Sequence, residues 1–274
     1  MRLDAYIAQH WPENSRSTWQ KLIQAGNVMV NGKVETSLKY EVNEDDTVEV
    51  AAPEQPNHSG KTLPIIYEDD NVIVIDKPVG VLTHSKGALN DEFTVAEFVR
   101  PNTTYKSDTN RPGIIHRLDR ATSGVIICVK NEQTASYLSK QFAQRTTKKQ
   151  YCAVVEGQPK HPEAVIDLPI GRNPNSPSTF RVDSKGKHAE TYYSTIKTSA
   201  QYSMLQLQPK TGRTHQLRVH LAHIGCPILG DTVYGTVTAD RMYLHAEKLE
   251  ITLPGGNRQV FTSAVPKEFF ESVK

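Results

Sequence analysis

The amino-acid sequence predicts an α+β protein in two parts, a small N-terminal unit followed by a larger domain on a mixed, mostly antiparallel sheet. Three observations carry this expectation. Residues 1–50 hold two short helical stretches and then alternating runs around an Asn-Gly pair; residues 51–62, AAPEQPNHSGKT, carry two Pro, one Gly and no periodicity; and from Leu63 to the end of the chain, residue 274, short apolar runs outnumber helical ones. Many strands with few helices between them suit an α+β sheet, and the unpatterned stretch suits a linker.

In the first part, Leu3 and Ile7 fall one helical turn apart. Ser15 stands where an N-cap is expected, Trp19, Leu22 and Ile23 form an apolar face, and Gly26 stops the second helix. Val28 and Val30 alternate with polar residues up to Asn31-Gly32, a strong hairpin signal, and Val48 and Val50 close with another strand.

In the second part, strands are expected at 65–67, 72–75, 125–129, 151–155, 189–196 and 203–207. Ala135, Leu138 and Phe142 mark one helix, and residues 214–223 another. No internal repeat, P-loop, GxGxxG or Cys-rich metal spacing stands out, so nothing points to a nucleotide cofactor.

Composition narrows the class. No apolar run approaches the ~20 residues of a membrane span, and MRLDAYIAQHW lacks the features of a secretory signal. A soluble, cytoplasmic protein is the expectation, with no membrane partner. The three cysteines, Cys128, Cys152 and Cys226, lie far apart and read as reduced core residues. Nothing in the sequence sets an oligomeric state, and a monomer is the default.

Net charge is only +2, but its distribution is uneven. Residues 101–160 hold ten Lys or Arg against four acids, and residues 205–224 hold Lys210, Arg213, Arg218 and three His with no acid. Basic residues gathered this way suit a phosphate-lined substrate. Residues 1–50 run the other way, with five Lys or Arg against eight acids, partly clustered in Glu44-Asp45-Asp46.

The most informative stretch is GIIHRLDRATSG at residues 113–124. It sets one carboxylate, Asp119, among His116, Arg117 and Arg120, with Ile114 and Ile115 before it and apolar residues from Val125 after it. That pattern predicts a rigid loop carried between two buried strands, a suitable mount for a nucleophile. Read from spacing alone, Asp119 fits a satisfied turn as well as a nucleophile.

HRLDRATSG resembles the active-site motif of the RluA-type pseudouridine synthases. The resemblance continues in IDKPVGV (residues 75–81), KQYCAVVEG (149–157), GKHAET (186–191), TGRTHQLRVHLAHIGCPILGDTVYG (211–235) and RMYLHA (241–246). Departures are small: Ala121 occupies a variable position, Ser85 follows His84 where Pro is usual, and Thr252-Leu253-Pro254 replaces apolar-His-Pro. Residues 1–50 resemble the alpha-L, or S-four, RNA-binding domain that often precedes this catalytic domain.

The resemblance implies a cofactor-free, metal-free enzyme that isomerises uridine to pseudouridine in RNA, and ribosomal RNA of the large subunit in particular, because the alpha-L domain accompanies such members. Asp119 is then the nucleophile, attacking either the ribose anomeric carbon or the uracil ring. A carboxylate in a partly apolar pocket needs a cation to keep it charged, and the match assigns that part to Arg218, with Arg213 about one helical turn earlier on the same element. Tyr151 is implied to stack on the target base and to join the final proton transfer, and Leu244 to pack on the uracil edge. A paired uridine must leave its stem to react, so Arg117, Arg120 and Arg213 become RNA-binding candidates, as does His116, which also holds the loop. In the alpha-L domain Arg16, Lys21 and Lys33 are candidate phosphate contacts.

Two other readings stay open from the residues: an RNA-binding or ribosome-assembly protein without turnover, and a synthase acting on transfer RNA. His220 and His223 stand at helical i,i+3 spacing, but without a carboxylate between residues 205 and 224 they make a poor metal site.

Overall fold

A computed structural model describes all residues except 14, 52–57, 59 and 86–91. The described residues form two compact units, Met1–Lys61 joined by described residues of His84–Phe93, and Thr62–Thr83 with Thr94–Lys274. Most of the expected linker, residues 52–57 and 59, lies outside the described residues.

The first unit begins with helices α1 (Leu3–His10) and α2 (Arg16–Gln24). Leu3, Ile7, Trp19, Leu22 and Ile23 are buried together with Val28, Val30 and Val42. Ser15 caps α2 by accepting a hydrogen bond from the Thr18 amide at 3.3 Å, and Gly26, at φ +82°, ends it. Strands β1 (Val28–Val30) and β2 (Lys33–Val34) form the expected hairpin, with Asn31 and Gly32 both at positive φ as a tight two-residue turn requires. Strand β3 (Val48–Val50) pairs with the other edge of β1. The acidic turn is tied down by Asp46, whose carboxylate accepts from Asn31 Nδ2 at 2.7 Å and from the Asn43 amide at 2.9 Å.

The second unit contains β4 (Ile65–Glu68), β5 (Val72–Lys77), α3 (Val95–Val99), β6 (Ser123–Val129), α4 (Glu132–Gln144), β7 (Lys148–Glu156), β8 (Glu163–Asp167), β9 (Ile170–Arg172) and β10 (Phe180–Val182). It continues with β11 (Glu190–Thr198), β12 (Tyr202–Pro209), α5 (Gln216–His223), β13 (Leu244–Thr252), β14 (Arg258–Thr262) and α6 (Lys267–Glu271). Among the described residues the main sheet runs β4-β5-β6-β13-β7-β12-β11-β8, with β14 on β13, and of its strand pairs only β6–β13 is parallel. Separately, β9 and β10 form a small hairpin. The mixed, mostly antiparallel α+β architecture is the one the sequence predicts.

Two apolar clusters support the sheet. Val72, Val74, Val125 and Ile127 pack with Ala135 and Leu138 of α4. Ala153, Val155, Leu205 and Leu207 pack with Leu217 and Leu221 of α5 and Phe269 of α6. All three cysteines are free and buried, as small core residues are.

The sheet forks at β13, whose first residues pair with β6 and whose later ones pair with β14. Gly124 stands at the fork, at φ +107°, where an added Cβ would lie 2.2 Å from the Ala246 carbonyl oxygen. Both the backbone angle and the close approach demand glycine. Gly124→Ala is therefore expected to cost about 3 kcal/mol or more, seen as a clearly lower urea midpoint; an unchanged midpoint would show that the fork tolerates a methyl group.

Candidate active site

Asp119 sits in the loop that leads into β6. The expected strand before it does not form: Ile114 makes a single isolated bridge to Cys128, and turns follow. Pro112 and Gly113 explain this, since Pro112 has no amide proton to give a ladder and Gly113 stands at φ +70°.

Tertiary hydrogen bonds hold the loop in place of that strand. Thr83 Oγ1 donates to the Leu118 carbonyl at 2.8 Å and accepts from the Leu118 amide at 3.2 Å. Lys77 is fully buried, and its Nζ donates to the carbonyls of Pro78, Val81 and Arg120 at 2.9, 2.8 and 3.3 Å. Burial pushes Lys77 down to about 7, against the opposing charge of Asp119. His116 Nε2 accepts from the Ile127 amide at 3.1 Å, and its ring stacks on Phe142. Burial, helped by the Lys149 charge, lowers His116 to about 3, so it serves as a neutral acceptor that fixes the loop.

The second element of the site is α5. Before it, Gln216 closes the turn: its Oε1 accepts from Thr211 Oγ1 at 2.6 Å and from the Arg213 amide at 3.0 Å. Arg213 therefore lies ahead of the helix and not on it, a correction to the sequence reading; its Nε donates to the His188 carbonyl at 3.0 Å. The helix starts only at Gln216 because His215 adopts φ +56°.

Arg218, only 8 % exposed, reaches Asp119 Oδ2 with Nη1 at 3.3 Å. Its other nitrogens, Nε and Nη2, form a bidentate pair with the fully buried Asp231 at 2.7 Å each. Asp231 also accepts from the amides of Val233 and Tyr234. Burial pushes Asp231 up, but the Arg218 hydrogen bonds and charge and the two amides outweigh it, leaving the carboxyl below its usual range. The guanidinium also lies over the Tyr234 ring at 5.0 Å.

His215 completes this arrangement. Tyr234 Oη accepts from the Phe180 amide at 2.9 Å and shares a hydrogen bond with His215 Nδ1 at 2.8 Å. The other ring nitrogen, Nε2, lies 3.8 Å from Asp119 Oδ2. Burial lowers the proton affinity of His215, with the Asp119 charge opposing.

These groups face a cavity of about 450 Å3, in the range of small-ligand sites. Asp119, Arg218, Tyr151 and Leu244 all line it, as do His116, Arg117 and Arg213. Tyr151 stands on β7 opposite Ala246 of β13, and Leu244 pairs with Ala153. Burial first, then the Asp119 charge, pushes the Tyr151 hydroxyl upward, so it is a neutral phenol. Arg120 is exposed and does not line the cavity. Arg16, Lys21 and Lys33 are exposed in the first unit, where Arg16 also pairs with the buried Asp4 at 2.9 Å.

Asp231, Lys77 and Lys149 escaped the sequence reading. The signal for Asp231 lay in the acid-free run from 205 to 224: a buried arginine on that helix needs a carboxylate, and Asp231 is the first one after it. His220 is a core residue, with ring nitrogens facing Thr191 Oγ1 and the Leu168 carbonyl. Among the described residues, no group of three or more His, Cys, Asp or Glu could hold a metal ion, and no helix is long and apolar enough to cross a membrane.

The family model described as RNA pseudouridylate synthase matches residues 71–223. The chain belongs to that family. The S4 domain model matches residues 1–48, so the resemblance read from the motifs is met in both parts of the chain. Among relatives, ribosomal large subunit pseudouridine synthase D of Borreliella burgdorferi is 37% identical over 286 residues, covering 98% of this chain and 87% of that protein. An uncharacterized RNA pseudouridine synthase of Bacillus subtilis is 33% identical, covering 100% and 93%. The structure of human RNA pseudouridylate synthase domain containing 1 superposes with a TM-score of 0.63 at 27% identity, covering 81% of this chain and 89% of that one.

Proposed function

We propose that the chain converts specific uridines of large-subunit ribosomal RNA to pseudouridine, with Asp119 as nucleophile and without a cofactor. The observation that carries this reading is the Asp119 carboxylate, open to the cavity and held by an arginine that a second, buried carboxylate clamps. The name of the Borreliella burgdorferi relative supports ribosomal RNA as the substrate class.

The reaction breaks the N-glycosidic bond, turns the freed uracil and rejoins it to the same ribose through carbon. It consumes no oxidant and no energy donor. It needs a nucleophile, a closed pocket that retains the loose base, and removal of one ring proton at the end. Asp119 supplies the first, attacking the ribose anomeric carbon or the uracil ring. Arg218, with Nη1 3.3 Å from Oδ2, holds and aims the carboxylate. Leu244 and the Tyr151 ring enclose the base. Because the Tyr151 hydroxyl stays protonated, it enters the last proton transfer as a donor or relay and not as a preformed phenolate. Arg117 and Arg120 hold the flipped strand, and the alpha-L domain contributes phosphate contacts through Arg16, Lys21 and Lys33.

A pseudouridine map of total RNA, from cells with and without the gene and complemented by the intact gene or Asp119→Ala, tests this directly. Sites that vanish and return only with the intact gene establish activity and target; sites in transfer RNA would move the substrate class, and no changed site would favour a binding role. Removing residues 1–60 is expected to weaken RNA binding or site choice while the chemistry persists, measured as turnover on naked RNA. A folded but inert truncated protein would contradict that division of labour.

A further inference from the structure

Beside the candidate active site lies a second groove of about 320 Å3 on the same unit, and the two share Arg145, Thr147, Lys149, Pro209 and Lys210 along their borders. Its lining holds five cations, Arg145, Lys148, Lys149, Lys210 and Lys248, against one carboxylate, Glu250. Lys148 and Lys210 are 75 % and 69 % exposed, so they are open to a ligand. Their ion pairs, to Glu250 at 3.3 Å and Glu190 at 2.5 Å, are surface contacts of small worth that a phosphate can displace. Tyr192 adds a half-buried aromatic ring whose hydroxyl donates to Glu163 at 2.8 Å.

Arg145 gives the groove its most telling feature. It ends α4 at φ +60°, a left-handed conformation that glycine adopts without cost and that arginine does not favour. The backbone there carries an arginine whose side chain lies where the two cavities meet, and strain kept against an easy alternative points to use. Lys149 stands at the same boundary, with Nζ donating to the Thr211 carbonyl at 3.3 Å. Burial pushes Lys149 down to about 8, and a phosphate beside it would favour its charged form.

We infer that this groove binds the single-stranded RNA flanking the target nucleotide, with Arg145, Lys210 and Lys248 on successive phosphates and Tyr192 under a base. The inference rests on the proposed function for the identity of the RNA and for its target nucleotide in the neighbouring cavity. Charge complementarity, the shared border and an aromatic platform are the features by which proteins track single strands.

The test uses the full chain, a labelled 12-nucleotide single-stranded RNA of mixed sequence, and two variants, Arg145→Gly and Lys210→Gln/Lys248→Gln. Arg145→Gly suits the backbone, so its unfolding midpoint should equal or exceed that of the parent, which separates binding from folding. RNA affinity should fall about fivefold to tenfold, and the slope of log Kd against log salt should shrink by about 0.7 for each phosphate no longer neutralised. Parental affinity and slope in both variants would overturn the inference. So would a loss of poly-glutamate binding with RNA binding intact, which would assign the groove to an acidic protein segment. Turnover is read separately: a parent chain that needs the groove to bind RNA but makes no pseudouridine would overturn the catalytic proposal and leave this one standing.

Discussion

Asp119→Asn is expected to lower turnover by about a million-fold, the scale of loss when a covalent nucleophile is removed, while RNA binding largely persists. The amide keeps the shape of the carboxylate and can still meet Arg218 Nη1, which lies 3.3 Å from Oδ2. The loop is held by hydrogen bonds of Thr83, Lys77 and the Ile127 amide that go to the Leu118 and Arg120 backbone and to His116, not to the Asp119 side chain. Fold and cavity should therefore survive, and the loss should fall on kcat with KM nearly unchanged. Single-turnover conversion of a uridine-containing RNA, with binding followed in parallel, measures this. Residual isomerisation above about one part in a thousand would sink the assignment, because an electrostatic or positioning role would leave that much. Loss of RNA binding together with turnover would instead mean that the carboxylate holds the loop.

The fold and the contents of the cavity were legible in the sequence to different degrees, for physical reasons. The Asn31-Gly32 turn, the Ser15 cap and the alternating strands are local chemistry, and they stand where their residues predict. The strand expected before Asp119 does not form because the apolar pair at 114 and 115 follows Pro112 and the left-handed Gly113, which deny it a ladder. Arg213 lies off the helix expected to hold it, since the left-handed His215 and the Gln216 side chain, which accepts from the Arg213 amide, close a turn just before α5. Asp119, Arg218, Tyr151 and Leu244 come together from four separate stretches of chain, and only the family motif tied them before the structure did. Asp231 and Lys77 were missed because their work is long-range. A buried charge leaves no periodicity, and its partner is named only by folding.

Asp231→Asn is expected to destabilise the chain by about 3 kcal/mol, because it removes the carboxylate that clamps Arg218 and leaves that cation, only 8 % exposed, with the 3.3 Å contact to Asp119 as its remaining ion pair. For a chain of this length that is roughly a 10 °C lower unfolding midpoint. The variant should also lose turnover, since Arg218 would be free to swing fully onto Asp119 and no longer present it to the cavity. Acid titration gives the sign of the charge contribution. The folded Asp231 carboxyl lies below its unfolded value, so its stabilisation is complete above the ordinary carboxylate range near ~3.9 and declines as pH falls through the lower folded value. The stability difference between the parent chain and Asp231→Asn should then be constant at neutral pH and shrink in strong acid. Asp231→Asn/Arg218→Met supplies the control: with the cation gone, nothing buried is left unpaired, and the double variant should be more stable than the single one although it is inactive. If the single variant were as stable as the parent, the clamp would not be holding Arg218. If the double variant were no better than the single one, the cost would lie in the weakened hydrogen bonds from the Val233 and Tyr234 amides and not in the stranded charge.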